Sequence, residues 1–516
     1  MRTLESSRPA LAAMGASLGR SFHAFVFVAY PVVFVVGTTA PALPVDRAAI
    51  ARCLAIAVAL TAGSLVALKT VIVDLSVRAA CVSFASILSF GCFLMFSGAS
   101  THVAAASLYT CASIAIALLV VRPWQRKPRQ STALNLAACT LLVVNASRTV
   151  AAIGAEQPWR PAADALIHSV VSTQAGRPAG PQPDIYYLIL DGFGRPDVLQ
   201  ELYGLDLQPF VKALEGRGFV IPDASQSNYA QTYLSMASSL NLSYLDGIAA
   251  TMRDSSDRRA LDYLIQQNAL MTIAKRAGYE VVAIGSDYSA SERFDVADQC
   301  LCEQYGLSEI EVATLNLTPL RALPLHRWTY DAHRRKFDAA FNHLQQARSQ
   351  TRPNFVFAHV LSPHPPFVFA SDGTPRSSGK TFSFSDGSHF PGPRSEYIAG
   401  YRDQARFVTR RILDAIDAIL QRPGPAPVIV IHGDHGPGSM WDWNDIANGN
   451  PRERLGIFSA YRFPGDDFKP SPQITPVNAL RVMANRYLGT ALPTLPDASF
   501  ASNWKRPYDW IRVEAH

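Results

Sequence analysis

Three short stretches combine residue types that can hold a divalent cation beside a hydroxyl. They are Asp191 in "LILDGFG", Thr232 in "NYAQTYLSMASSLN", and Asp434 with His435 in "VIVIHGDHGPGS". Two carboxylates, an imidazole and a hydroxyl form an oxygen/nitrogen donor set suited to Mn²⁺, Mg²⁺ or Zn²⁺. A hydroxyl beside such a cation loses its proton far more readily than a free one, which makes Thr232 a candidate nucleophile. A plainer role competes. Thr at the head of a short helix satisfies an orphan backbone N–H as a cap. From Gln231 onward, Leu234, Ala237 and Leu240 give one narrow apolar helical stripe. If Thr232 is the nucleophile, the same helix end stabilises the negative charge that develops there. "NFVFAHVLSPHPPF" adds His359 inside a strand-like run and His364 just beyond it.

These residues need elements to position them. "DIYYLILD" (184–191), "EVVAIGS" (280–286), "NFVFAHVL" (354–361), "PVIVIHGD" (427–434) and "GIFSAYRF" (456–463) read as strands. Amphipathic segments at 257–277, 328–348 and 395–422 separate them, and strands alternating with helices predict an α/β domain with a mainly parallel central sheet. Ligands of such sheets bind beyond the carboxyl ends of the strands, where Asp191, His359, His364, Asp434 and His435 fall.

The first third is of another kind. The chain has 516 residues, 48% of them hydrophobic, and the apolar excess gathers near the N-terminus. Five stretches, 21–39, 49–68, 79–97, 102–121 and 132–153, are long and apolar enough to span a bilayer. Basic residues precede the first and fill the second–third and fourth–fifth connections, while "APALPVDRAA" and "GASTH" are almost free of them. The positive-inside rule puts the N-terminus in the cytoplasm, and five spans deliver the C-terminal two thirds to the outer side. Expected domains are a transmembrane bundle of about five spans (1–153), a linker (154–183) containing the Pro/Gly-rich "AGRPAGPQPD", and an exported α/β domain (184–516). Within the spans, Asn145 and Arg148 are read as the polar interruptions. Five of the seven cysteines lie in or beside the spans; Cys300 and Cys302 are exported, either as a disulfide or as buried thiols. The net charge of +6 is modest and gives no nucleic-acid footprint.

"LILDGFG", "SNYAQTYLSMASSLNLSYL", "SPHPPF" and "GDHGPGS", in this order, resemble the alkaline-phosphatase/sulfatase superfamily over about residues 183–490. The nearest likeness is to its membrane-anchored members, the lipoteichoic-acid-synthase-like phosphoglycerol transferases and related sulfatase-like hydrolase/transferases. The resemblance implies an alkaline-phosphatase-like α/β domain. It makes Asp191, Thr232, Asp434 and His435 the metal ligands, with Thr232 also the nucleophile. It assigns His364 to the transferred group or to protonation of the leaving oxygen, and puts His359, Gln231 and Asn228 beside the bound anion. Local capping is the competing role for Asn228, and a structural one for His359. One divalent ion is implied, Mn²⁺ or Mg²⁺ ahead of Zn²⁺ or Ca²⁺. Among the strand ends, no Asp is followed four residues later by a His that would supply a second site, and Asp287 is the nearest candidate for an extra ligand.

The implied reaction is a two-step displacement on a phosphate ester, with water or a sugar or glycerol hydroxyl resolving the covalent threonine. The implied substrates are a phospholipid headgroup or a phosphorylated or sulfated glycan at the outer face of a bacterial-type inner membrane. Sulfate-ester hydrolysis is the alternative, but "QTYLSMAS" lacks the Cys or Ser with Pro and Arg that formylglycine sulfatases need. A non-catalytic scaffold and a transporter are the rival classes. The filled ligand positions count against the first, and the scarcity of polar residues in the spans against the second.

Overall fold

The computed structural model describes residues 8–39, 47–95, 113, 116, 128–154, 157–176, 182–318, 320, 325–346, 351–376, 380, 382–465 and 468–514. Contacts divide the chain into two units, Met1–Glu156 with Leu307–Leu325, and Gln157–Gly306 with His326–His516.

The described residues of the first unit include four long helices, α1 (Arg8–Thr39), α2 (Arg47–Ala67), α3 (Leu75–Met95) and α4 (Pro128–Gly154). Among the described residues, three stretches, Gly19–Thr38, Arg47–Thr70 and Ser131–Val150, are long and apolar enough to cross a membrane. The apolar part of α3, Leu75–Gly91, is shorter, and the expected span at 102–121 lies outside the described residues. The spans also hold a polar residue beyond Asn145 and Arg148. His23 on α1 is fully buried, shares a hydrogen bond with Ser83 Oγ on α3 at 2.6 Å, and its backbone N–H donates to Asn135 on α4 at 3.0 Å. Hydrogen bonds between helices are a standard adhesive in spans, since lipid offers polar groups no partner.

One piece of this unit comes from far along the chain. The helix Glu309–Asn316 packs on α1 and α2. Ser308 and Glu311 close a capping box at its start, and Glu311 also takes the Arg52 guanidinium of α2 at 2.7 Å.

The second unit holds a six-stranded sheet in the order β3-β2-β4-β1-β5-β6. Its strands are β1 (Ile185–Leu190), β2 (Glu280–Ile284), β3 (Gln299–Leu301), β4 (Asn354–Val360), β5 (Val428–Gly433) and β6 (Ser459–Arg462). All neighbours are parallel except β5 and β6. The central strands β1, β4 and β5 are buried along their whole length, which is why they read as continuous apolar runs. β1 lies between β4 and β5, with Leu190 beside Val360 and Gly433, so the ends of three strands sit side by side. The edge strand β3 has three residues and no apolar run, so periodicity misses it. It carries Cys300, which forms a disulfide with Cys302. A small hairpin, β7 (Ser499–Ala501) with β8 (Ile511–Val513), also lies outside the sequence reading.

Helices differ from the sequence expectation in two places. The segment 257–277 breaks into Arg259–Gln266 and Ala269–Ala277, because Asn268 caps the second by accepting from Met271 N–H. Residues 160–171, assigned to the linker, form a helix that buries Ala163, Val170 and Val171, and Trp159 before it is 3% exposed.

Asp262 gives this unit a pH dependence. Burial, reinforced by Asp295 and opposed by Arg293, lifts its carboxyl from 3.8 to about 7. The folded state therefore binds the proton more tightly than the unfolded chain. This contribution is complete below pH 4 and disappears as pH rises through 7. Asp262→Asn, neutral at every pH, is expected to stabilise the unit at pH 8 by about 2–4 kcal/mol and to change little at pH 4. Calorimetry of the full chain at the two pH values checks it.

Candidate active site

Asp191, Asp434 and His435 converge at the strand ends. Asp191 follows β1, and its N–H donates to Val360 O of β4 at 2.9 Å. Asp434 follows β5 and reaches across to accept the Gly192 N–H at 3.0 Å. Gly192 turns the chain with φ +72°, a conformation that disfavours a side chain. Gly436 is needed for close approach: a Cβ there would lie 2.0 Å from Glu453 O.

Thr232 is the first residue of the helix Thr232–Leu240, with Gln231 at the N-cap position and no side-chain cap. Its Oγ1 lies 3.1 Å from His435 Nε2. The helix is buried on every side, not along one stripe, because it runs through the interior of the unit. His435 Nδ1–H donates to Gly436 O at 2.9 Å, which leaves Nε2 as a lone-pair donor. That atom stands 3.5 Å from Asp191 Oδ1 and 3.3 Å from Asp434 Oδ2.

Those two carboxylate oxygens are buried with no hydrogen-bond partner. Buried carboxylate oxygens are normally satisfied, and each orphan calls for an explanation. Candidate ligand atoms of Asp191, Asp434 and His435 lie within 4.8 Å of one another, the one such cluster among the described residues. The donor set fits a divalent cation, with Thr232 Oγ1 as a fourth donor atom. Burial raises the Asp191 carboxyl, but His364, His359 and His435 together outweigh it and hold the group well below the usual range. Burial, then Arg454, lowers the His435 imidazole against the pull of Asp434, Asp191 and Asp386, which favours its neutral, ligating form.

His359 and His364 lie next to this cluster. His359 Nε2 is 3.4 Å from Asp191 Oδ2, while Nδ1 shares a hydrogen bond with Ser291 Oγ at 2.6 Å. The His364 ring centroid is 6.1 Å from that of His435. Its Nδ1–H donates to Pro365 O, and its Nε2 lies 3.9 Å from Asp386 Oδ2. The amides are engaged elsewhere. Gln231 Nε2 donates to Ser502 Oγ at 2.9 Å and Asn503 O at 3.0 Å. Asn228 Nδ2 reaches Tyr244 and Ala498 O, and its Oδ1 accepts Val477 N–H. Asp287 pairs with His333 at 2.8 Å and stands outside the cluster.

Two charged residues belong here that no motif announced. Arg454, 1% exposed, donates from Nη2 to His435 Nε2 at 3.0 Å and from Nη1 to Asp386 Oδ2. Burial opposes ionisation of Asp386, yet Arg454, His364, His435 and Tyr397 bring its carboxyl down to about 2. A buried guanidinium beside the cluster is a fixed positive charge. The long helix Arg394–Leu420 orders the surrounding turns from one face. Tyr397 donates to Asp386 at 2.7 Å, Tyr401 to Gly192 O at 2.9 Å, and Gln404 to His364 O at 3.0 Å. Positions 397, 401 and 404 are one and two helical turns apart.

A family model described as Sulfatase matches residues 183–473. Among solved structures, the chain is similar to the C-terminal periplasmic domain of EcEptC from Escherichia coli in complex with zinc. The two are 12% identical, covering 65% of this chain and 93% of that one, with a TM-score of 0.39. It is also similar to the soluble domain of lipooligosaccharide phosphoethanolamine transferase A from Neisseria meningitidis. That match is 13% identical, covers 60% and 90% of the two chains, and has a TM-score of 0.36. A third is the phosphonate monoester hydrolase of Agrobacterium radiobacter, at 14% identity, 62% and 80% coverage and a TM-score of 0.35. No curated protein matches.

Proposed function

The chain belongs to the sulfatase family, and from that premise we propose a membrane-anchored, metal-dependent hydrolase or transferase that acts on phosphate esters through a covalent threonine. The observation that carries the reading is the pair of orphaned buried oxygens on Asp191 and Asp434, facing His435 Nε2 with Thr232 Oγ1 alongside. A divalent cation held by these four residues, Mn²⁺ or Mg²⁺ before Zn²⁺ or Ca²⁺, supplies Lewis acidity. Thr232 Oγ, its hydroxyl proton already lost to solvent, attacks as the alkoxide and forms a bond to phosphorus as the bond to the alcohol oxygen breaks, and protonated His364 gives that oxygen its proton. Arg454 and the first N–H groups of the Thr232 helix meet charge on the non-bridging oxygens. Water, or a sugar or glycerol hydroxyl, then displaces Thr232 and returns its proton to His364. Phosphate is favoured over sulfate because Thr232 is followed by Tyr-Leu-Ser-Met, not by the Pro-and-Arg signature.

The anchor suggests the substrate: a phospholipid headgroup such as phosphoglycerol, or a phosphorylated or sulfated glycan, at the outer face of a bacterial-type inner membrane. The Cys300–Cys302 disulfide supports an oxidising compartment. A reporter fused after residue 130 is expected to be cytoplasmic and one after residue 180 to be exported; like behaviour of both removes an odd number of spans.

Trapping tests the covalent step. The full chain, acid-quenched during turnover of bis-p-nitrophenyl phosphate, should carry one aryl-phosphoryl adduct on the peptide holding Thr232. Rapid turnover with Thr232 unmodified at every quench time overturns the reading.

A further inference from the structure

The side chain of Gln231, the residue before Thr232, meets a buried cation that the two-step displacement does not use. Arg258 is 6% exposed. Its Nη2 donates to the side-chain oxygen of Gln231, the residue before Thr232, at 3.2 Å, and to Trp504 O. Nη1 reaches only Ser256 O at 3.4 Å, and Nε is buried without a partner. No carboxylate pairs with it among the described residues. A buried guanidinium with no counter-charge is unfavourable until an anion completes it.

The guanidinium carbon sits 4.2 Å over the Trp504 ring, and that indole is 39% exposed. Trp504 meets Trp443 edge-on at 5.4 Å, and Trp443 carries Arg454 at 4.8 Å. Rings and cations thus form a path from His435 through Arg454, Trp443 and Trp504 to Arg258, which returns through Gln231 to Thr232. Trp504 lies beyond the matched residues 183–473, on the loop between β7 and β8.

We infer that Arg258 and Trp504 form the acceptor subsite, taking a sugar that bears an anionic group: the indole carries the ring and the guanidinium pairs with the anion. The inference rests on the two-step reading. A hydroxyl of the bound sugar forms the new P–O bond, the Thr232 Oγ–P bond breaks, and the hydroxyl proton passes to His364.

Four acceptors separate the two contacts. The full chain in detergent is charged with bis-p-nitrophenyl phosphate and offered glucose 6-phosphate (ring and anion), glucose (ring), glycerol 3-phosphate (anion) or glycerol (neither). The ratio of transfer to hydrolysis is read by mass spectrometry. It is expected to be highest for glucose 6-phosphate. Trp504→Ala should lower that ratio about tenfold, to the level of glycerol 3-phosphate, and Arg258→Lys, which keeps a charge but loses the planar fork stacked on the indole, should lower it part of the way toward the level of glucose. If the lysine variant does not fold, the exposed Trp504 site decides alone. Equal partition among the four acceptors, or wild-type ratios in Trp504→Ala, overturns the subsite while a Thr232 adduct still forms. Absence of that adduct in every arm overturns the two-step reading instead.

Discussion

Thr232→Ala is expected to abolish turnover of phosphate esters, by more than about 10³-fold, while the chain stays folded, because in the proposed reaction it deletes the atom that would form the covalent bond. A capping role gives a different result. Loss of a cap costs about 0.5–2 kcal/mol of stability and leaves the rate largely intact. The geometry separates the two: the N-cap position is Gln231, and the Thr232 hydroxyl points to His435 at 3.1 Å. Thr232→Ser retains an Oγ and is expected to keep part of the activity. Initial rates on bis-p-nitrophenyl phosphate beside thermal melts of the three proteins check this. An alanine variant at near wild-type rate sinks the mechanism.

Asp434→Asn is the second large effect. Asn preserves size and can still accept the Gly192 N–H through its amide oxygen, as Asp434 Oδ1 does at 3.0 Å. The substitution removes the anionic charge on the orphaned Oδ2. Divalent-ion affinity is expected to fall at least about 100-fold, since even losing a partner behind a ligand costs 10–100-fold. Elemental analysis of the purified full chain should find about one ion in the wild type and far less in the variant. Excess metal should restore part of its rate. Near two ions per wild-type chain would overturn the one-metal assignment.

The central sheet was legible because parallel strands buried on both faces leave unbroken apolar runs, and chain direction puts the residue after each run at the same edge. Asp191, Asp434 and His435 were found this way, and β1 lying between β4 and β5 brings their ends together. Arg454 and Asp386 were not found. Each is a charged residue in an ordinary local setting, Arg454 in the five-residue helix Pro451–Leu455 and Asp386 at an Asp-Gly turn. Only the fold shows that both are buried beside the Asp191, Asp434 and His435 cluster. Gln231 and Asn228 err the other way: being next to Thr232 in sequence does not aim an amide at the same point, and both are spent on the segments 498–503 and 477. His23 escaped notice because one imidazole barely dents the hydropathy of a twenty-residue span.

The helix Glu309–Asn316 bears on how the protein can be handled outside its membrane. A fragment beginning after residue 156 keeps this helix but discards α1, α2 and Arg52. Glu311, 8% exposed in its side chain, then loses its cationic partner, and Ile310 loses its cover. Such a fragment would present a sticky apolar turn to solvent and bind detergent or self-associate, however sound its sheet. Replacing residues 307–325 with a short polar connection, not moving the start of the fragment, is the change that should yield a monodisperse soluble enzyme.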